Sequence, residues 1–242
     1  MATIYMKNLL IYYLRRKILQ MPLNRQLKFI VLFSALLLIE FVCGSLENLY
    51  PWRWLTKPSL VIALIIYFYS ESKSLPRATR RLTIMALIFS LAGDIFLLFV
   101  SNADYFFSLG LLSFLLAHIF YCMTFLQRRN PESRPVALGF LLVAYAFLLF
   151  YMLHEVLGAL LIPVFIYMIV ILMMVMTAFL RRGKVQRKSF NLVFIGALFF
   201  VVSDSILAVN KFYVPLPYSH ISIMASYALA QLFIVMGVLK SR

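Results

Sequence analysis

Long apolar runs, separated by short charged or proline-marked connections, recur along nearly the whole chain. The apolar positions are continuous rather than spaced at the helical period, and about 20 such residues are what a helix needs to cross a bilayer. Reading between the breaks predicts eight spans: 27–46, 58–70, 82–100, 105–126, 135–153, 158–180, 190–209 and 218–239. The span at 58–70 is short for a bilayer and is expected to extend to Leu75 or to lie tilted. The predicted fold is all-α, a polytopic membrane bundle of about eight transmembrane helices. One transmembrane domain covers 27–242. Residues 1–26 form a basic arm lying amphipathically on the inner leaflet, since the patch "LLIYYL" is too brief for a cleaved signal.

Composition agrees: 64% of the 242 residues are hydrophobic and eight are acidic, where a soluble domain would be close to half apolar. The connections are too short for a soluble domain, so any chemistry belongs within or at the edge of the bilayer. The formal charge of +15 does not point to nucleic acid, because of where it lies. Twenty of the 23 basic residues fall at the ends of the chain and in the even-numbered connections, including Arg77, Arg128, Arg181 and Lys188. Only Arg53, Lys57 and Lys211 fall in the odd-numbered ones. That asymmetry is the positive-inside pattern, so both termini are expected in the cytoplasm. Anionic membrane lipids are the partners of this charge. The localisation implied is a multi-pass integral membrane protein, in the cell (inner) membrane of a bacterial host. Cys43 and Cys122 both lie inside spans, which implies no disulfide framework.

Asp94 interrupts the third span and Asp204 the seventh, in the similar strings "LAGDIFLL" and "VVSDSILA". His118 follows Asp94 by 24 residues and Tyr227 follows Asp204 by 23, while Tyr121 and Gln231 each follow their aspartate by 27. The correspondence suggests that spans one to four and five to eight are parallel repeats. An Asp at a helix centre costs roughly 2.5–3.5 kcal/mol on insertion scales and faces a bundle interior or a wet cavity. A lone buried acid reads equally well as a structural residue bonded to Ser90 or a tyrosine. Two at matched depth favour a shared polar site.

His118 and Tyr121 share one face of the fourth helix, and Tyr227 and Gln231 share one face of the eighth. A single intramembrane His more often bonds a neighbouring helix than reacts. Glu40, in the first span, reads as structural pairing. Lys57 precedes Pro58 at a helix end, either snorkelling to the interface or offering a cation to a phosphate headgroup. Asn210 donates to the same group or caps the seventh helix. Tyr50, Trp52, Trp54 and Tyr213 read as an interfacial aromatic belt. His154 and His220 fall near helix ends as solvated side chains. The chain lacks G-x-S-x-G, H-E-x-x-H and Gly-rich phosphate loops, and its three histidines are too scattered for a zinc site. No cofactor is called for.

The strings "GDIFLLF…GLLSFLLAHIFYCMTF" and "GALFFVVSDSILAVNKF…YALAQLFIVMG", with the "KP" at Lys57–Pro58, resemble the YhhN family of lysoplasmalogenase-like membrane proteins. The resemblance runs from Lys57 to Gly237; the arm through Lys28 has no counterpart in it. It implies hydrolysis of the vinyl-ether bond of lysoplasmalogens, giving a fatty aldehyde and glycerophosphocholine or glycerophosphoethanolamine. The family's polar pattern falls here on Lys57, Asp94, His118, Tyr121, Asp204, Asn210, Tyr227 and Gln231. Protonating the β-carbon of a vinyl ether generates an oxocarbenium ion, to which water adds before the hemiacetal collapses. A proton-bearing carboxyl and an ionised one supply the donor and the stabilising charge, as in glycosidases. The catalytic set expected is Asp94 and Asp204 with His118 and Tyr121. The lysophospholipid substrate is expected at Lys57, Asn210, Tyr227 and Gln231. Two midplane acids in a parallel-repeat bundle also describe a proton-coupled transporter, the alternative reading, and a lipid-binding protein without turnover is a third.

Overall fold

A computed structural model of the chain describes residues 25–241. The expected arm falls almost wholly outside them. Eight long helices follow in order: α1 (Arg25–Ser45), α2 (Arg53–Glu71), α3 (Arg77–Leu98), α4 (Tyr105–Leu126), α5 (Val136–Leu153), α6 (Leu161–Phe179), α7 (Arg187–Ala208) and α8 (Ser219–Leu239). Among the described residues there is no strand. Residues 25–35, the first part of α1, form one unit; residues 36–242 contain everything described below.

Among the described residues seven helical segments are long and apolar enough to cross a membrane; α2 is the exception among the eight long helices. Rather than extending from Pro58 to Leu75, it begins at Arg53 and ends at Glu71. Pro58 is therefore inside it, where its missing N–H leaves the carbonyl of Trp54 without a helical partner. The early start has a consequence for function: Arg53, Thr56 and Lys57, spaced i, i+3 and i+4, share one face.

The closest packing joins α7 to α8 and α3 to α4. Small residues permit it, as between membrane helices generally. A Cβ on Gly196 would lie 2.9 Å from the Ala230 carbonyl oxygen and 3.0 Å from the Ile234 nitrogen. Gly196→Ala must push two backbones apart and is expected to lower stability by about 1–3 kcal/mol. Gly139→Ala, which meets only the end of Met176 at 3.4 Å, is the near-neutral control. Thermal unfolding in detergent compares them, and equal midpoints would mean that α7 and α8 are not held at that distance.

At the opposite end from Arg53, Arg181 does more than supply topological charge. Its guanidinium is buried, donates to the Ser189 hydroxyl at 2.9 Å and lies over the Phe125 ring. Ser189 in turn donates to the Gly237 carbonyl at 2.7 Å, tying α7 to α8. Burial, with Arg128 nearby, brings the Arg181 guanidinium down to about 10, so it stays charged at neutral pH.

Candidate active site

Asp94 projects from α3 into the bundle with both carboxylate oxygens engaged. The Lys57 ammonium lies 3.5 Å from Oδ1, and the Tyr227 hydroxyl donates to Oδ2 at 2.7 Å. Gln231 Nε2 donates to the Tyr227 oxygen at 3.3 Å, and the Tyr121 hydroxyl donates to Gln231 Oε1 at 2.6 Å. Lys57, Asp94, Tyr227, Gln231 and Tyr121 thus form one hydrogen-bonded chain across α2, α3, α8 and α4. A buried polar group without partners is costly, and here the groups satisfy one another.

Asp204, on α7, has different company. Tyr167 from α6 donates its hydroxyl to Oδ2, and His118 Nε2 stands 4.0 Å from the same oxygen. That distance is beyond a direct hydrogen bond. Both ring nitrogens of His118 are buried without a hydrogen-bond partner, its ring set edge-on to Tyr167 and Phe200. Phe200 also meets Tyr227, with ring centres 5.6 Å apart, so the two sets adjoin. The two carboxylates are thus linked through the contacts of Tyr227, Phe200 and His118. Their access differs: the Asp94 side chain is 2% exposed and Asp204 17%.

Asp204 borders two cavities of about 50 Å³ each. One runs beneath Phe107 and Phe212; the other runs between α5 and α6, past Tyr145 and Leu153. The second shares Met168 and Leu172 with an apolar groove of about 660 Å³ between the same two helices. The first shares Leu97, Phe107 and Leu207 with a polar cavity of about 300 Å³. That cavity is lined by Arg53, Lys57, Asn210, Lys211 and His220.

Of the remaining candidates, Lys57, Asn210 and His220 are placed differently from expectation, while Glu40 and the aromatic residues are placed as expected. Lys57 does not snorkel outward; it turns into the bundle, because Asp94 offers the nearest compensating charge. Asn210 sits in a π-helical turn, Val209–Tyr213, that continues α7, and its Oδ1 accepts the Leu216 N–H at 2.9 Å. His220 is half-buried rather than fully solvated: its Nδ1 faces an Arg53 terminal nitrogen at 3.2 Å. Glu40 pairs with Arg53 at 3.1 Å and accepts a hydrogen bond from Thr56. Trp52, Trp54, Tyr50 and Tyr213 are all exposed.

Two participants escaped the sequence reading. Tyr145 bonds Ser205, next to Asp204, and nothing in its apolar context marks it. Tyr167 did leave a signal, since it precedes Asp204 by 37 residues as Lys57 precedes Asp94. Among the described residues no group of three or more His, Cys, Asp or Glu is placed to hold a metal.

The model of the YhhN family matches residues 52–238, a range that holds every side chain of both hydrogen-bonded sets. A human protein named lysoplasmalogenase TMEM86A is 34% identical over 173 residues, covering 69% of this chain and 68% of that one. The bovine protein of the same name gives the same identity and coverage. Human lysoplasmalogenase TMEM86B is 31% identical over 64% of this chain and 62% of its own. No solved structure matches the chain. This is an all-helical integral membrane protein that belongs to the YhhN family.

Proposed function

We propose that the protein is a lysoplasmalogenase-like ether hydrolase, cleaving the vinyl ether of 1-alkenyl-lysoglycerophospholipids to a fatty aldehyde and a glycerophosphodiester. One observation carries the reading. A cation-lined cavity, a carboxyl-bearing cavity and an apolar groove adjoin in that order, which is the order of headgroup, ether and chain in the substrate. The names of the relatives support the same activity.

The partners of the two aspartates support distinct roles for them. Asp94, held by an ammonium and a phenol, is the ionised member. Among the described residues Asp204 has no lysine or arginine beside it, and it borders the cavities, so it is the acid that reaches substrate. It protonates the β-carbon of the vinyl ether, and its carboxylate, with that of Asp94, stabilises the oxocarbenium ion. Water, oriented by the unpartnered His118, adds to the oxocarbenium carbon and returns a proton to Asp204. The hemiacetal then collapses to aldehyde and alcohol, consuming one water overall. Tyr121, through Gln231 and Tyr227, positions Asp94.

The reading includes eight spans, both termini cytoplasmic as the basic residues indicate, and two four-helix repeats. The aspartate contacts support the repeats. Each aspartate is met by the residue 37 positions upstream, Lys57 for Asp94 and Tyr167 for Asp204. Each is also met by a residue from the last helix of the other repeat, Tyr227 for Asp94 and His118 for Asp204.

The test is aldehyde release by purified protein in a neutral detergent, run in heavy water. The alkenyl lipid is expected to yield aldehyde with one deuterium on the carbon next to the carbonyl, where the acid delivers its proton. The saturated 1-O-alkyl analogue should yield none. Monodisperse protein that binds the alkenyl lipid and releases no aldehyde would refute the hydrolase.

A further inference from the structure

We infer that Arg53 and Lys211, assisted by the Asn210 side-chain amide, form a clamp for a monoanionic phosphodiester, with Glu40 and His220 as the positioning residues that hold the arginine. The inference rests on the reading above only for where the rest of the ligand goes. The three basic residues that break the charge asymmetry of the sequence, Arg53, Lys57 and Lys211, all line one cavity of about 300 Å³. Bringing three cations together is unfavourable unless negative charge accompanies them. Two carboxylates do: Asp94 takes Lys57, and Glu40 takes Arg53. One positive charge remains, and a phosphodiester carries one negative charge. A phosphate monoester, mostly dianionic at neutral pH, would overshoot the balance.

The cations are not equivalent. Lys57 is spent on Asp94 and forms the floor. Arg53 is built in place: Glu40, fully buried, holds its Nε at 3.1 Å, and His220 Nδ1 meets a terminal nitrogen at 3.2 Å. Gly44 leaves the room for the His220 ring, since a Cβ there would lie 1.8 Å from Nε2. A guanidinium fixed in this way loses little entropy on binding an anion and offers planar, paired donors. Lys211 is exposed, its ammonium 5.5 Å over the Phe107 ring, with no carboxylate partner among the described residues. The Asn210 oxygen is occupied by Leu216 N–H, which orients the amide and leaves its NH₂ to donate. The first turns of α2 and α8, at Arg53 and His220, add the positive ends of two helix dipoles. Phe107, under Lys211, is shared with the Asp204 cavity, so the clamp adjoins the reacting carboxyl.

The test is equilibrium binding of a fluorescent 1-O-alkyl-lysophosphocholine, which has no vinyl ether to cleave, to the full chain in a neutral maltoside. Lys211→Gln is expected to weaken binding about tenfold or more, the loss of one charged hydrogen bond, and Lys211→Arg to stay within about threefold. Arg53→Gln should weaken it further. Lys184→Gln, in the connection between α6 and α7, should change nothing. Competition by 1-O-alkylglycerol, which has no phosphate, should be weak in the parent and unaltered by Lys211→Gln. Parent-like affinity in Lys211→Gln, or alkylglycerol competing as well as the phospholipid, overturns the clamp. Inorganic phosphate competing as well as the lipid would assign the site to free phosphate instead of a headgroup. Because the probe is not hydrolysed, charge-dependent binding without aldehyde release would keep the clamp and sink the hydrolase, and the converse result would do the opposite.

Discussion

Asp204→Asn is expected to lower aldehyde release by about 10²–10⁴-fold, the usual worth of a positioned general acid. The amide has the shape of the carboxyl and can still accept the Tyr167 hydroxyl hydrogen bond, so the fold should survive. What it loses is a proton acidic enough to give to carbon, and the carboxylate that takes one back from water. Asp94→Asn should also impair turnover, but by a different route, since that side chain is walled in by Lys57 and Tyr227. Its effect is expected to come with altered stability, whereas that of Asp204→Asn is not. Rates from both variants, each checked by gel filtration and thermal unfolding, separate the roles. Asp204→Asn retaining activity within about tenfold of the parent would move the acid elsewhere.

The second large effect concerns Lys57. Breaking a buried ion pair by removing one partner costs about 3–5 kcal/mol, because the other charge is left uncompensated. Lys57→Met is therefore expected to lower the unfolding midpoint sharply. Adding Asp94→Asn to Lys57→Met should restore much of the loss, because the stranded charge is gone and Tyr227 keeps an oxygen to bond. The double-mutant cycle isolates the coupling. A snorkelling lysine would give no such coupling, and additivity of the two changes would reject the pair. Activity should stay low in the double variant even where stability returns.

Much of the fold was legible because bilayer solvation acts on every residue of a span. Continuous apolar runs placed α3 through α8 within a few residues of where they lie. α3 begins five residues before its predicted start, at Arg77, and α2 as many, at Arg53, since charged Arg53 and Lys57 and the proline read as a boundary. In the folded chain Glu40 and Asp94 neutralise those charges inside. The candidate polar residues were also visible, because a carboxyl or imidazole in hydrocarbon is costly enough to stand out. Their pairing was not visible. Spans apolar on nearly every face carry no stripe to say which way they point, so sequence alone could not decide that Lys57 turns to Asp94. Nor could it show that Tyr121 reaches Asp94 only through Gln231 and Tyr227. Sequence by itself determined the helices, the charge asymmetry and the unusual polar positions, each an energy summed along one segment. Tertiary structure alone decided which acid meets a cation, which borders a cavity, and that three scattered cations share one cavity. Those outcomes depend on helix rotation and close approach, which local composition does not encode.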